Sequence, residues 1–468
     1  MSSAKPKPIT IPPELDAEMT PAVRAFVKSL LKRIKELEAK VGVNPQNSSL
    51  PPSTQHPHAK PAPRKPKSKR KRGGQPGHKK HERTLIPSDQ CNDVQPLKPT
   101  ECRRCGKKLA GSDAKPLRHQ VWELPEIKPL VTEFQLHRLE CDCCGETTCA
   151  ELPIGVPQGQ SGPRLMAFTG LLMAYYRQSK RRTAEFLSTL LSQPCCPALT
   201  VKIQAVVTDA LRGSYDELVA ELPSQERINA DETATKEENK KVWLWTFSAP
   251  MFSVFAVRDS REATAVDELL TDKFRGVVMC DRAKMYWRVG RLQWCWAHLV
   301  RDFQALIDRG DGQAKRLGYE LRRQARRLFE HWANYRGDKI SRFAFVRRMA
   351  PVRREVERLL LRGVNSGNAS LVGMCQELHG HRDWLWMFVR SEGVEPTNNA
   401  GERALRHAVI WRKLSFGTQS SGGSRFAETM LTVIETCRQQ GRRVFEYLTA
   451  AIHSHLAHQP APSLLPGA

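Results

Sequence analysis

The sequence predicts an α/β protein, and three short segments carry that prediction: Arg227-Ile-Asn-Ala-Asp231, Gly276-Val-Val-Met-Cys-Asp281 and Asn398-Asn-Ala-Gly-Glu402. The first two each end a short, largely apolar run on an aspartate, which reads as the end of a buried strand. The third sets a glutamate in the first turns of a predicted helix. Between the two aspartates, residues 242–247 and 252–257 predict a hairpin joined through Ala249-Pro250, and a helix is expected over 261–270. A further strand is expected over 292–296. Strand, hairpin, helix, strand is the order of an RNase H-like α/β sheet. An RNase H-like catalytic domain is therefore expected over 225–297, with its second part and C-terminal helices over 395–457. Between them, 298–394 is rich in Arg, Leu and Glu at helical spacing and reads as an α-helical insertion.

The segments before this core are of other kinds. Val23, Val27, Leu30, Ile34, Leu37 and Val41 step by four and three alternately, the a/d seam of a coiled coil over 20–43, and self-association is expected there. Residues 44–90 shift to Pro, Ser, Lys and Arg and read as a flexible basic arm. Lys69, Arg70, Lys71 and Arg72 end its basic run, and Gly73-Gly-Gln-Pro-Gly-His78 follows. Cations around a Gly/Pro turn can track a DNA backbone or minor groove. Within 91–158, Cys102-Arg-Arg-Cys105-Gly and Cys141-Asp-Cys-Cys144-Gly are two C-x-x-C-G knuckles separated by a stretch of strand-like character. Cys102, Cys105, Cys141 and Cys144 predict a closed, structural Zn²⁺ site, a zinc ribbon, with Cys143 and Cys149 surplus and Cys143 competing as a ligand. Residues 159–224 read as helices, either a helix-turn-helix DNA-binding region or a bundle that packs onto the core. The Pro-rich tail, 458–468, reads as loose, and a Gly/Ser loop is expected over 417–424 before a helix at 425–440.

Charge narrows the partners. Lys and Arg number 74 against 49 Asp and Glu, a net +25 over 468 residues, which points to a polyanion. The first residues lack an apolar signal core and the longest apolar stretch, 165–176, is too short to span a bilayer, so a cytoplasmic, nucleoid-associated protein is expected. Thirteen cysteines, an odd number, argue against a complete disulfide framework.

Asp231, Asp281 and Glu402 are the acids a divalent-metal phosphoryl-transfer site needs, because Mg²⁺ (or Mn²⁺) takes hard oxygen ligands from a few carboxylates, water and phosphate. Clustered without metal they repel, and at least one should have a raised pKa. No protein nucleophile is required. Arg403 and Arg406 flank Glu402, and Arg412 and Lys413 lie further along the same segment as phosphate donors. Cys295-Trp-Ala-His298 has a metal-like spacing, but two ligands are not a site, and a structural role is expected. Trp384 and Trp386 are expected in the core rather than stacked on bases.

These residues resemble the insertion-sequence 66 family of DDE transposases. The resemblance runs through Asn47-Ser-Ser-Leu-Pro-Pro-Ser53, Gly73-Gly-Gln-Pro-Gly-His78, the two knuckles, Asp231-Glu-Thr233, Asp281-Arg282, Cys295-Trp-Ala-His298 with Arg301, and the segment from Thr397 to Arg406 with Arg412-Lys413. It implies that Asp231, Asp281 and Glu402 are the catalytic triad of a DNA transposase. It also implies that the N-terminal parts recognise double-stranded DNA at terminal inverted repeats, and that small accessory proteins encoded by the element are partners. Arg282 departs from the glycine common at that place in the family. Other readings of the same parts are a catalytically inactive zinc-ribbon DNA-binding regulator and a structure-specific RNase H-like nuclease.

Overall fold

The structure, a computed structural model, describes residues 12–41, 77–78, 83–309 and 311–465. Lys69, Arg70, Lys71 and Arg72 of the basic arm lie outside the described residues. The chain divides into a smaller unit, 57–129, and a larger one made of 1–56 and 130–468. In the smaller unit a short 3-10 turn, Ser88–Gln90, precedes the first cysteine knuckle, and the Gln120 side chain bonds both the N–H and the C=O of Ile86 (3.0 and 2.9 Å). Among the described residues, no strand forms over 109–137. The strand-like reading of that stretch fails because its alternating side chains have no neighbouring strand to fill the backbone hydrogen bonds. Leu117, Val121, Leu124 and Leu130 are all exposed.

The larger unit begins with α1 (Pro13–Glu18) and α2 (Pro21–Val41), the helix expected from the heptads. Val23, Leu30 and Ile34 are exposed along it, as is Phe26. A hairpin of β1 (Arg138–Glu140) and β2 (Thr147–Cys149) brackets the second knuckle. Three helices follow: α3 (Pro163–Ala174), α4 (Lys180–Leu190) and α5 (Pro197–Glu221). Proline at the first turn starts α3 and α5, where the missing N–H costs nothing, and Ser179 caps α4 by accepting from Arg182 N–H.

The core sheet is built from β3 (Arg227–Glu237), β4 (Lys240–Ser248), β5 (Ser253–Arg258), β6 (Val277–Cys280) and β7 (Leu292–Trp294), with α6 (Ala263–Leu270) crossing between β5 and β6. Spatial order is β5-β4-β3-β6-β7, antiparallel through the first three strands and parallel from β3 to β7. The expected β4–β5 hairpin is present. β3, however, does not end at Asp231 but runs six residues further, to Glu237, because Thr233, Ala234 and Thr235 continue the pairing with β4. Glu238 and Asn239 turn the chain with φ of +49° and +63°, a left-handed two-residue turn made without glycine.

The insertion comprises α7 (Trp296–Arg309), α8 (Gly312–Arg336), α9 (Arg342–Val364), α10 (Ala369–Gly380) and α11 (Met387–Arg390). Trp386 is fully buried, and Trp384 packs on the core with its indole N–H on the Gly290 carbonyl (3.0 Å). The chain then returns as α12 (Asn399–Ser415), α13 (Ser421–Gln440) and α14 (Val444–Leu456). α13 starts inside the stretch expected to be a Gly/Ser loop, because the Ser420 hydroxyl caps it by accepting from Gly423 N–H. α3 and α5 pack on α13 and α14, so these two helices belong to the core body.

One edge of the sheet is finished by side chains. The outward N–H groups of Ser253, Phe255 and Val257 on β5 donate to Thr436 Oγ1 (3.2 Å), Thr432 Oγ1 (2.9 Å) and Glu428 Oε2 (2.8 Å). These acceptors recur every four residues on α13, one helical turn against two strand residues. Tyr215 of α5 donates its hydroxyl to the Phe255 carbonyl (3.0 Å). The C-terminal tail is docked, not loose, as far as residue 465: Leu464 is fully buried, and the Pro462 carbonyl accepts from the Tyr447 hydroxyl (2.7 Å).

Candidate active site

Parallel pairing brings the two aspartates together. Asn229 on β3 is level with Met279 on β6; two residues on, Asp231 lies within β3 and Asp281 directly follows the end of β6. Both acids thus stand at the carboxyl end of the parallel pair, where α/β sheets present their sites, and the charge of Asp281 acts on Asp231. Each carboxylate is fixed locally: Asp231 Oδ1 accepts from Glu232 N–H (3.0 Å) and Asp281 Oδ1 from Ala283 N–H (2.8 Å).

Glu402 reaches them through one buried amide. Asn398, at the start of α12, is 2% exposed. Its side-chain NH₂ donates to the Ala230 carbonyl (2.7 Å), and its side-chain oxygen accepts from Asn229 Nδ2 (2.8 Å). Its backbone N–H donates to Cys295 Sγ (3.2 Å), and its carbonyl accepts the Glu402 N–H (3.1 Å). Asn398 therefore ties the residue before Asp231, the chain leaving β7 and the first turn of the glutamate helix to one another. Gly401 is needed here, since a Cβ would lie 2.8 Å from Asn398 Oδ1.

Electrostatics follow from this crowding. Burial pushes the Asp231 carboxyl well above the usual carboxylate range, and the charges of Glu232, Asp281 and Glu402 push it further. Burial, then Asp281, also raises Glu232, a fourth acid that the sequence reading passed over, although it stands next to Asp231; Arg261 and the Tyr286 hydroxyl hold it. Burial is the main reason the Cys295 thiol is pushed up to about 11, which keeps it protonated. His298, on the first turn of α7, is lowered by burial and by Arg301 and is neutral near pH 7. Its Nδ1 lies 3.8 Å from Glu402 Oε1, and both atoms are buried without a hydrogen-bond partner. Cys295, His298 and Glu402 place one potential ligand atom each within 4.8 Å of one another. The CxxH pair expected to be structural thus splits: Cys295 braces Asn398, and His298 faces the site.

The predicted arginines separate likewise. Arg403 and Arg406 are exposed beside Glu402, as is Lys413. Arg412 is half-buried and donates to the Ala234 carbonyl, bracing α12 on β3. Arg282 pairs with Asp302 on α7 (2.9 Å) and Glu377 on α10 (2.8 Å), linking the segment after Asp281 to the insertion.

Each cysteine knuckle, taken by itself, has the same turn. Gly106 N–H donates to the Cys102 carbonyl (2.9 Å) and Gly145 N–H to the Cys141 carbonyl (2.8 Å), with both glycines at positive φ (+71° and +73°). Backbone N–H groups of Arg104 and Cys105 lower the Cys102 thiol, with the Cys105 thiol adding to them, and those of Cys143 and Cys144 lower Cys141, with the Cys144 thiol adding.

The surroundings fit a divalent metal. A buried carboxyl destabilised by three others, beside an orphaned carboxylate oxygen, is the donor set of a hard cation. Among the described residues no helix is long and apolar enough to cross a membrane.

Comparisons bear on the identity of this arrangement. The chain is similar to three curated proteins of Sinorhizobium fredii (strain NBRC 101917 / NGR234). Uncharacterized protein y4qI is 25% identical over 270 residues, 51% of this chain and 49% of that protein. Uncharacterized protein y4jO is 28% identical over 173 residues, 37% of this chain and 51% of that one. Uncharacterized protein y4hP is 24% identical over 388 residues, 73% and 68%. The chain thus spans about half the length of the first two. Residues 4–84 match a family of unknown function (DUF6444). Residues 159–425, more than half of the chain and the part that holds all three acids and their supports, match the transposase IS66 family, and the chain belongs to that family.

Proposed function

We propose that this protein is a DDE transposase that binds the terminal inverted repeats of an insertion sequence and catalyses metal-dependent DNA strand cleavage and strand transfer. The observation that carries the reading is the convergence of Asp231, Asp281 and Glu402 through the β3–β6 register and the Asn398 amide. The strand order, three antiparallel strands followed by two parallel ones, supports an RNase H-like core. Asp231, Asp281 and Glu402 would hold Mg²⁺ or Mn²⁺. When bound, the metal polarises the scissile phosphate and activates a water or a 3′-hydroxyl for in-line displacement. Arg403, Arg406 and Lys413, exposed on the same helix, hold phosphates of the incoming strand. Burial, and then the charges of the neighbouring acids, disfavour the ionised Asp231 carboxylate, and a bound cation would favour it.

The two knuckles support a structural Zn²⁺ on Cys102, Cys105, Cys141 and Cys144: the N–H groups that lower Cys102 and Cys141 favour the thiolates a zinc ion binds. The basic run Lys69 to Arg72 grips DNA backbone, and the exposed apolar face of α2 pairs with a second copy. Accessory proteins of the element are the remaining partners of this reading.

The test uses a duplex bearing one element end, with Mg²⁺ or Mn²⁺. Wild type nicks the end and joins it to a target duplex. Asp231→Asn, Asp281→Asn and Glu402→Gln each lose nicking by about a thousandfold or more while still shifting the DNA in a gel. Full activity in any of the three sinks the mechanism. Cutting without joined products favours a structure-specific nuclease, and binding without cutting in wild type favours a regulator.

A further inference from the structure

Glu402 turns one carboxylate oxygen, Oε1, toward the imidazole of His298 at 3.8 Å from Nδ1. That spacing is too long for a hydrogen bond. Both atoms are buried, and neither has a partner. Two polar atoms left this way cost free energy unless something sits between or beside them. The neighbours do not fill the need: Cys295 Sγ, the third atom of the cluster, already accepts the Asn398 N–H. A cation bonded at about 2.1 Å to both a ring nitrogen and a carboxylate oxygen spans a separation of three to four ångströms.

The geometry points to His298 as a nitrogen ligand of the catalytic metal position held by Glu402, which would make this a mixed carboxylate–imidazole site. The inference rests on the metal-dependent reading above and goes beyond it in naming the fourth protein ligand and the metal preference that follows. Mg²⁺ prefers an all-oxygen octahedron, whereas a transition ion such as Mn²⁺ accepts an imidazole nitrogen more readily. The site should therefore bind Mn²⁺ more tightly than Mg²⁺, and the difference should shrink when the nitrogen is removed. α7 supplies the rigidity: His298 lies on its first turn, with its backbone N–H on the Cys295 carbonyl (3.0 Å), and the Trp296 backbone N–H is anchored on the Pro396 carbonyl (2.9 Å) of the segment that leads into Glu402.

The test is pulsed electron paramagnetic resonance on the full-length protein loaded with Mn²⁺, with Mn²⁺ affinity measured in parallel and no DNA present. Wild type should show ¹⁴N modulation from a directly bound imidazole. His298→Gln should still bind Mn²⁺, about tenfold more weakly, without that ¹⁴N signal. Mn²⁺ that binds and is lost in Asp231→Asn, yet shows no ¹⁴N coupling in wild type, overturns the role of His298 and leaves the metal-dependent mechanism standing. A ¹⁴N signal that survives His298→Gln also overturns it. Failure of wild type to bind Mn²⁺ at all overturns both. The wild-type spectrum decides even if the variant folds poorly.

Discussion

Asp231 stands where burial and three neighbouring carboxylates act in one direction, and that has a consequence for stability. An acid whose folded pKa lies above its unfolded value stabilises the fold below about pH 4, and that contribution is lost as pH rises through the folded pKa. Metal-free protein should therefore lose thermal stability as pH rises above about 4. Asp231→Asn should flatten the loss and raise Tm at pH 7, and scanning calorimetry in chelator across that range checks it. Asn398 makes the opposite case. Asn398→Ala strands the Ala230 carbonyl and the Asn229 amide inside the core and should cost about 1–3 kcal/mol in urea unfolding. The setting of the three acids was legible in the sequence, since two end an apolar run and the third opens a helix. The role of Asn398 as a clamp, the buried Glu232 and the orientation of His298 were not. An amide or imidazole takes its meaning from its partner, and those partners lie on segments far apart in the chain.

At the scale of elements, periodicity located β4, β5, β6, α2, α6 and most of α13, and the helical character of 159–224 and 298–394, and its errors have local causes. β3 continues past Asp231 because Thr and Ala alternate where an apolar run was sought, and its turn uses Glu238-Asn239 rather than a glycine pair. α13 begins early because a serine cap outweighs two glycines in its first turn. The tail is held by Leu464 and the Pro462 carbonyl, contacts that composition cannot announce. The α13 stripe yields a specific expectation. Thr432→Val removes the acceptor of Phe255 N–H inside the core and should cost about 1–3 kcal/mol, whereas Thr432→Ser should retain most of the stability. Paired chemical-denaturation curves test the difference.

On the scale of the whole molecule, the net charge of +25 forecast a polyanionic partner, but charge alone does not say which surface meets it. DNA affinity should fall steeply with salt, and deleting residues 64–72 should flatten the slope of log K against log salt. Metal analysis should find about one zinc per chain, lost on Cys102→Ser or Cys141→Ser. Leu30→Lys on the exposed face of α2 should lower the mass measured by light scattering toward a single chain. How such copies meet is constrained by the sheet itself. β5 has handed its outward N–H groups to α13. At the far edge, Gln293 of β7 spends its side chain on Leu385 and Phe388 of the insertion. The β5 edge therefore has no free rim to extend, so a second chain cannot add a strand there. Copies crowded onto one surface therefore carry little risk of fusing their sheets through that edge.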